Sequence, residues 1–266
     1  MKISIIGLGA IGSFLLNELV RDGRFEIVGL SEIDSAVAAK ILAELSLSND
    51  LLKPIDELPE ETDVYVEAAS GAVAKKIAKI ALERGKIAII ASVGGLEDIE
   101  DLVETAKSTG GKLFLPSGAV AGLDALKAIP RESIESIRMK STKPAGNLIG
   151  TDYVKKAGLE LEKIEKPVKV FEGSARDAAK AFPKSANVAA TVGLGSVGLD
   201  EMMVEIWADP FSNRNRHEIT VESGHGTVRT EVSNVPFEIN PRTSKLAAYS
   251  ILATIRSLVD PVVIGT

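Results

Sequence analysis

Gly7, Gly9 and Gly12 fall in a G-x-G-x-x-G spacing, Gly7-Leu8-Gly9-Ala10-Ile11-Gly12, directly after the strand-like run Ile3, Ile5, Ile6. That spacing suits the holding of a dinucleotide. Gly7 permits the tight turn, Gly9 lets backbone approach a pyrophosphate, and Gly12 lets the following helix pack on the strand. The unpaired N–H groups at the helix start then face the phosphates, where the helix dipole favours negative charge. Gly7, Gly9, Ala10, Ile11 and Gly12 are the cofactor-binding positions expected in this turn. A second strand pattern, Phe25 to Leu30, ends at Ser31-Glu32, and Glu32 lies 20 residues after Gly12, where a ribose-binding acid belongs. Asp34 competes for that role. Neither acid has an Arg or Lys beside it to receive a 2′-phosphate, which favours NAD over NADP.

The chain has two histidines and no cysteine. Disulfides, thiolate zinc sites, iron–sulfur clusters and thioester intermediates are therefore excluded, and no metal is expected. His217 follows a polar stretch, Asp209-Pro210-Phe211-Ser212-Asn213-Arg214-Asn215-Arg216, and enters a strand pattern. A histidine there can titrate near neutral pH and exchange protons with a substrate, or it can be a surface residue opening a strand. His225, between glycines, reads as a turn residue. Asn187 or Ser185 can cap a helix, and the Asn187 amide can alternatively meet a nicotinamide carboxamide. A second G-x-G-x-x-G, Gly193 to Gly198, lies in an apolar helical run with no strand before it, and is read as close helix packing. No G-x-S-x-G offers a serine nucleophile.

These residues need a scaffold, and 266 residues suggest two domains. Through Pro116 the pattern alternates strand and helix. After Glu32, a helix is expected over Ser35 to Leu45, a strand over Asp63 to Ala68 and a helix to Arg84. A strand over Lys86 to Ala91, a helix over Leu96 to Lys107 that buries Leu96, Ile99, Leu102, Val103 and Ala106, and a strand over Lys112 to Leu115 follow. This is the α/β pattern of a Rossmann-type doubly wound parallel sheet, whose loops Ala68-Ala69-Ser70 and Ser92-Val93-Gly94 should line the cofactor, with Ala69 as a contact. Beyond it, strand patterns at Ile134 to Ser141, Val168 to Phe171, Met202 to Trp207, Glu218 to Val221 and Thr227 to Val232 mix with helices at Ala175 to Phe182 and from Asn187. They indicate a second α+β domain. A last helix, roughly 241 to 259, carries Ala247, Ile251, Thr254, Ile255 and Leu258 on one face and is expected to return to the first domain. The boundaries are then 1–116 with 241–266 for the dinucleotide domain, and 117–240 for the substrate and catalytic domain.

A net charge of −6 with no basic stripe argues against nucleic acid as a partner. The N-terminus is already strand, without a signal-peptide layout, and no apolar run reaches membrane-spanning length. A cytoplasmic protein without a membrane partner is expected.

Several of these stretches occur together, in order, over nearly the whole chain. They are the glycine turn, Glu67-Ala68-Ala69-Ser70, Pro116-Ser117-Gly118-Ala119, Phe182-Pro183-Lys184 through Asn187-Val188-Ala189, Asp209-Pro210 through Asn215-x-His217, and Asn240-Pro241-Arg242-Thr243-Ser244. In this they resemble L-aspartate dehydrogenases. The resemblance implies a homodimeric or larger homo-oligomeric enzyme that uses NAD or NADP to oxidise aspartate to iminosuccinate, which hydrolyses to oxaloacetate and ammonia or feeds NAD biosynthesis. By motif match His217 takes the family's catalytic histidine, and Ala121 and Asn187 its cofactor-contact positions. A dicarboxylic amino acid also needs donors for its carboxylates. Lys184, Arg242, Thr243 and Ser244 are the candidates, with Ser117 behind them. The rival readings are another small-substrate dehydrogenase of the same superfold and a non-catalytic dinucleotide sensor.

Overall fold

The computed structural model describes the chain apart from Glu97, Lys184, Ser185, Ile239, Pro241, Arg242 and Thr266. Two compact units emerge, Met1–Pro116 with Ala248–Val263, and Ser117–Ala247 with Ile264–Thr266.

In the first unit β1 (Lys2–Ile6), α1 (Ala10–Val20), β2 (Glu26–Ser31), α2 (Ser35–Leu45), β3 (Val64–Glu67), α3 (Gly71–Glu83), β4 (Ile87–Ile90), α4 (Glu100–Thr109) and β5 (Lys112–Phe114) follow one another. The strands make one sheet in the order β2-β1-β3-β4-β5, every pair parallel. Helices on both faces bury nearly all of the three central strands, which is why those read as mostly apolar runs rather than alternating ones, while the edge strands β2 and β5 stay partly exposed. Strand order reverses at β1 and β3, so the crevice where a ligand can lie opens beyond the carboxyl ends of those two strands.

In the second unit come α5 (Leu123–Ala128), β6 (Ile134–Pro144), α6 (Ala145–Leu148), α7 (Asp152–Lys156), β7 (Val168–Ser174), α8 (Ala175–Ala181), α9 (Asn187–Leu194), β8 (Met203–Asp209), β9 (Asn215–Ser223) and β10 (Gly226–Asn234). Their sheet runs β10-β9-β6-β8-β7 and is antiparallel except between β6 and β8. Along each of its three middle strands one face is buried and the other half-exposed. The last helix, α10 (Lys245–Ser257), sends Ile251, Leu252 and Ile255 into the core of the first unit, against Leu15, Leu16 and Leu19 among others. Burying each such side chain contributes about 2 kcal/mol, which anchors the returning helix.

Four local expectations need correction. α4 starts at Glu100, not at Leu96: a short turn at Val93–Gly95 precedes it, because Gly95 packs on Gly71 too closely for a side chain. Val103 then faces solvent, at 37% exposure, and Leu102 carries the burial. α9 ends at Leu194. The bare side of Gly193 meets the Gly198 carbonyl and Leu199 in the loop that follows, so it does not serve helix-to-helix packing. In α10 the buried face is Ala248, Ile251, Leu252 and Ile255, shifted by about a residue from the expected stripe. Among the described residues no helix is long and apolar enough to cross a membrane.

Candidate active site

The glycine turn at the end of β1 has the geometry that its spacing requires. Gly7 has φ +90°, and a Cβ there would come within 2.6 Å of the Ala69 backbone. A Cβ on Gly12 would come within 1.8 Å of the Gly7 carbonyl oxygen, so α1 can start against β1 only without one. At Gly9 the same test meets nothing within 4 Å. Gly9 thus keeps an open face at the N-terminus of α1, where Ala10 and Ile11 begin the helix with no side chain capping it. Backbone donors facing open space at a helix start suit a pyrophosphate. The residues present fit a dinucleotide.

The two acids after β2 divide their roles. Asp34 accepts hydrogen bonds from the Ala36 and Val37 N–H groups and caps α2. Glu32 accepts the Leu8 N–H at 2.6 Å and the Asp34 N–H at 3.0 Å, which holds its carboxylate beside the glycine turn. Glu32 is therefore the acid held against the glycine turn, and Asp34 is the cap of α2.

Glu67, at the end of β3, entered the sequence reading only within Glu67-Ala68-Ala69-Ser70, with no role of its own. It is fully buried and accepts from the Ser92 N–H and hydroxyl, both at 2.9 Å, and from the Ala69 N–H at 2.8 Å. Burial pushes its carboxyl upward, against the hydrogen bonds from Ser92 and from the Ala69 and Ser70 backbone. One carboxylate thus ties together the two loops expected to line the cofactor, and it fixes Ala69 where Ala69 closes on Gly7.

In the second unit the buried sheet face changes character toward the carboxyl end of β6. One cross-strand row is apolar: Val204, Met139 and Ile219. The next reads Ile206, Ser141, His217 and Val232. Beyond it, Lys143 pairs in register with Ala208, while Asn215 on β9 pairs with Asn234 on β10. Ser141, Lys143, Asn215, His217 and Asn234 are each at most 6% exposed. A polar cluster is therefore built into a core face.

His217 is neither a surface residue nor a group that titrates near neutral pH. It lies inside β9 at 3% exposure, and burial first, the nearby Lys143 charge second, push its imidazole down to about 3. Its Nδ1 lies 3.0 Å from the Ser141 hydroxyl. Lys143, on the same face, is pushed down to about 8 by burial. Among the described residues Asn215 Oδ1 and Asn234 Oδ1 have no hydrogen-bond partner, although Asn234 Nδ2 reaches the Ala119 carbonyl at 2.9 Å.

The imidazole shift has a consequence for acid stability. The folded pKa lies below the ordinary value, so the unfolded chain takes up a proton that the folded chain refuses. Stability present above pH 6.5 is then lost progressively as pH falls toward about 3. At pH 5 this group alone should cost about 2 kcal/mol relative to pH 8. Urea unfolding at the two pH values checks it, because His217→Gln should lose less stability over that interval than wild type by this amount.

The other expected site residues are placed as follows. Asn187 is the first residue of α9, with Ala186 at the cap position, so the capping role does not apply to it. Its backbone carbonyl accepts the Thr191 hydroxyl at 3.0 Å. Ala121 is exposed, and its carbonyl accepts from the Thr230 hydroxyl at 3.2 Å. Ser117 is half-buried at the start of the second unit. Thr243 and Ser244 belong to a backbone clasp after β10, in which Phe237 N–H donates to the Thr243 carbonyl and Lys245 N–H to the Val235 carbonyl, both at 2.9 Å. Ser244 is buried there, at 6% exposure. Lys184 and Arg242 lie outside the described residues, as does Ser185. Sequence reasoning missed Ser141, Lys143, Asn215 and Asn234. Period-two spacing through Ile137, Met139, Ser141 and Lys143 is the signal that could have found the first two.

Comparison with known proteins bears on both units. Residues 7–116 match the family model described as homoserine dehydrogenase, NAD binding domain, and residues 124–258 match aspartate dehydrogenase, C-terminal. An L-aspartate dehydrogenase of Methanocaldococcus jannaschii is 41% identical, with all of both chains covered. One of Bradyrhizobium diazoefficiens is 36% identical over all of this chain and 94% of its own. The crystal structure of aspartate dehydrogenase from Thermotoga maritima superposes with a TM-score of 0.77 at 30% identity, covering 100% of this chain and 99% of that one.

Proposed function

The chain belongs to the L-aspartate dehydrogenase family, and on that premise we propose that it oxidises L-aspartate to iminosuccinate with NAD or NADP as acceptor, the imine then hydrolysing to oxaloacetate and ammonia. The observation that carries this reading beyond fold is His217, a buried uncharged imidazole beside a serine in a polar cluster of the second sheet, in a chain that also has a glycine cradle. A dinucleotide held by the glycine turn would supply the acceptor for the hydride on the substrate Cα.

The protein's own residues do the rest. The α1 N–H groups and the bare face of Gly9 receive the pyrophosphate, and Glu32 accepts from ribose hydroxyls. Glu67 holds together the loops that follow β3 and β4. His217, with Nδ1–H donating to Ser141, presents the lone pair of Nε2. It accepts a proton from the substrate ammonium, so that the freed amine can form a C=N bond as hydride leaves. After releasing that proton to solvent, it accepts another from the water that adds to the imine carbon. An imidazole at about 3 is a weak base in the protein alone. A bound dicarboxylate would offset the Lys143 charge, the smaller of the two influences on the ring, and place its own negative charge nearby, both of which raise the imidazole.

We also assign the enzyme to the cytoplasm, with the imine available to NAD biosynthesis, and to a homo-oligomer. The open face of the second sheet supports self-association, since it presents Met203 and a half-buried Trp207 beside the charged rows of β6 and β9. The activity is tested by offering NAD and NADP with a panel of amino acids and 2-hydroxy acids and following reduced nicotinamide. L-Aspartate should be the preferred substrate. Turnover of a hydroxy acid instead would point to another dehydrogenase, and no reduction at all to a dinucleotide-binding module.

A further inference from the structure

Lys143 occupies a position that a globular core ordinarily denies to an ammonium. The strand alternation that sends Ile137, Met139 and Ser141 inward sends Lys143 inward as well, to 6% exposure. Among the described residues no carboxylate stands within ion-pair reach of it, and burial is the one influence acting on its charge. Glu67 is the contrast: the first unit also buries a charge, but satisfies it with three hydrogen bonds. Beside Lys143 the second unit leaves further capacity unused, the Oδ1 acceptors of Asn215 and Asn234. A buried cation without an anion and buried acceptors without donors each destabilise the empty protein. An amino acid supplies both complements, a carboxylate for the cation and an ammonium for the acceptors, and these groups belong to the same buried polar cluster as His217.

We propose that Lys143 is a substrate-binding residue whose ammonium pairs with a carboxylate of the amino-acid substrate and so sets that substrate beside His217. The assignment rests on the reading of the chain as an amino-acid dehydrogenase. It adds a residue, from within the described structure, to the cations first considered at positions 184 and 242.

The decisive variant is Lys143→Met, which keeps the length of the side chain and removes the charge. With L-aspartate, KM should rise about 30-fold or more while kcat changes far less, as expected when one partner of a buried charge pair is deleted. Because a costly buried charge has been replaced by an apolar chain, the variant without substrate should melt at or above the wild-type temperature. Two competitive inhibitors identify the carboxylate. L-2-Aminobutyrate lacks the side-chain carboxylate and β-alanine lacks the α-carboxylate. The inhibitor that loses affinity for Lys143→Met carries the group that Lys143 holds, and loss for either one supports the proposal. Succinate separates the proposal from the functional reading beneath it. If wild type fails to oxidise aspartate, the activity assignment falls, yet succinate that raises the melting temperature of wild type and not of Lys143→Met still identifies a carboxylate site at Lys143. The proposal is overturned by an unchanged KM, by a fall in kcat at constant KM (a proton-transfer role), or by a destabilised or unfolded variant (a structural role).

Discussion

Replacing His217 by alanine is expected to lower kcat for L-aspartate by about 10²–10⁴-fold, the usual contribution of a positioned general base. NAD affinity should stay close to wild type, because the glycine cradle, Glu32 and the Glu67 tie all belong to the first unit and His217 to the second. The size of the effect follows from the bond that orients the ring. Nδ1 lies 3.0 Å from the Ser141 hydroxyl, and in the tautomer in which Nδ1–H donates to that serine Nε2 carries the lone pair a base needs; no other described imidazole can replace it, because His225 sits in the hairpin turn between β9 and β10. Loss of a buried ring also leaves a cavity. His217→Gln, which keeps most of the volume, should therefore be equally inactive while melting closer to wild type. Unchanged turnover in either variant would remove the histidine from the mechanism, and loss of NAD binding would make it structural. The pH profile gives an independent check. Because the imidazole of the free enzyme is already uncharged well below neutrality, the acid limb of kcat/KM should not fall near pH 6.5.

The first unit was largely legible in the sequence, and the reason is physical. Strands buried on both faces must be apolar throughout, and helices between them end at glycines with positive φ, as at Gly85 and Gly110. Both signals survive without tertiary information. The polar cluster of the second unit was not legible for the converse reason. Lys143-Pro144 at the end of β6 and Asn215-Arg216-His217 at the start of β9 are residues that usually mark loops. In the fold they extend both strands, and Lys143, Asn215 and His217 among them are buried. The expected strand over Ile134 to Ser141 thus stopped just before the lysine, and the expected strand from Glu218 began just after the histidine. Where a core face must hold a polar ligand, its residues imitate a loop, and the element boundaries drawn from hydropathy fall inside the site.

The two acids after β2 teach a smaller lesson. Glu32 and Asp34 are equivalent by composition and differ only in what their carboxylates accept, the Leu8 N–H of the glycine turn in one case and the α2 N-terminus in the other. Spacing alone favoured Glu32. Hydrogen bonding separates their positions: Glu32 spans the Leu8 and Asp34 N–H groups with its two oxygens and so lies against the glycine turn, whereas Asp34 accepts both α2 N–H groups on Oδ1.

The glycine turn allows binding and stability to be separated by two substitutions three residues apart. Gly12→Ala is expected to abolish dinucleotide binding and to destabilise the protein by about 3 kcal/mol or more, at the upper end of the cost of overpacking. Its Cβ would lie 1.8 Å from the Gly7 carbonyl oxygen and 2.9 Å from the Gly7 carbonyl carbon, and both are backbone atoms that cannot rotate away. Restoring an ordinary carbon–oxygen separation of about 3.3 Å requires α1 to move off β1 by well over 1 Å. Gly7 cannot retreat, because its own α-carbon is already closed in by Ala69, which Glu67 holds through its N–H. Gly9→Ala should behave differently. Its Cβ meets nothing within 4 Å, so urea unfolding should match wild type. That same Cβ projects into the space where the pyrophosphate must approach, so NAD affinity should fall by about tenfold or more, a loss of roughly 1.4 kcal/mol of binding free energy. Equal stability losses in the two variants would refute this division of labour. So would a Gly9→Ala enzyme that binds NAD as tightly as wild type, since the open face of Gly9 would then have no part in holding the dinucleotide.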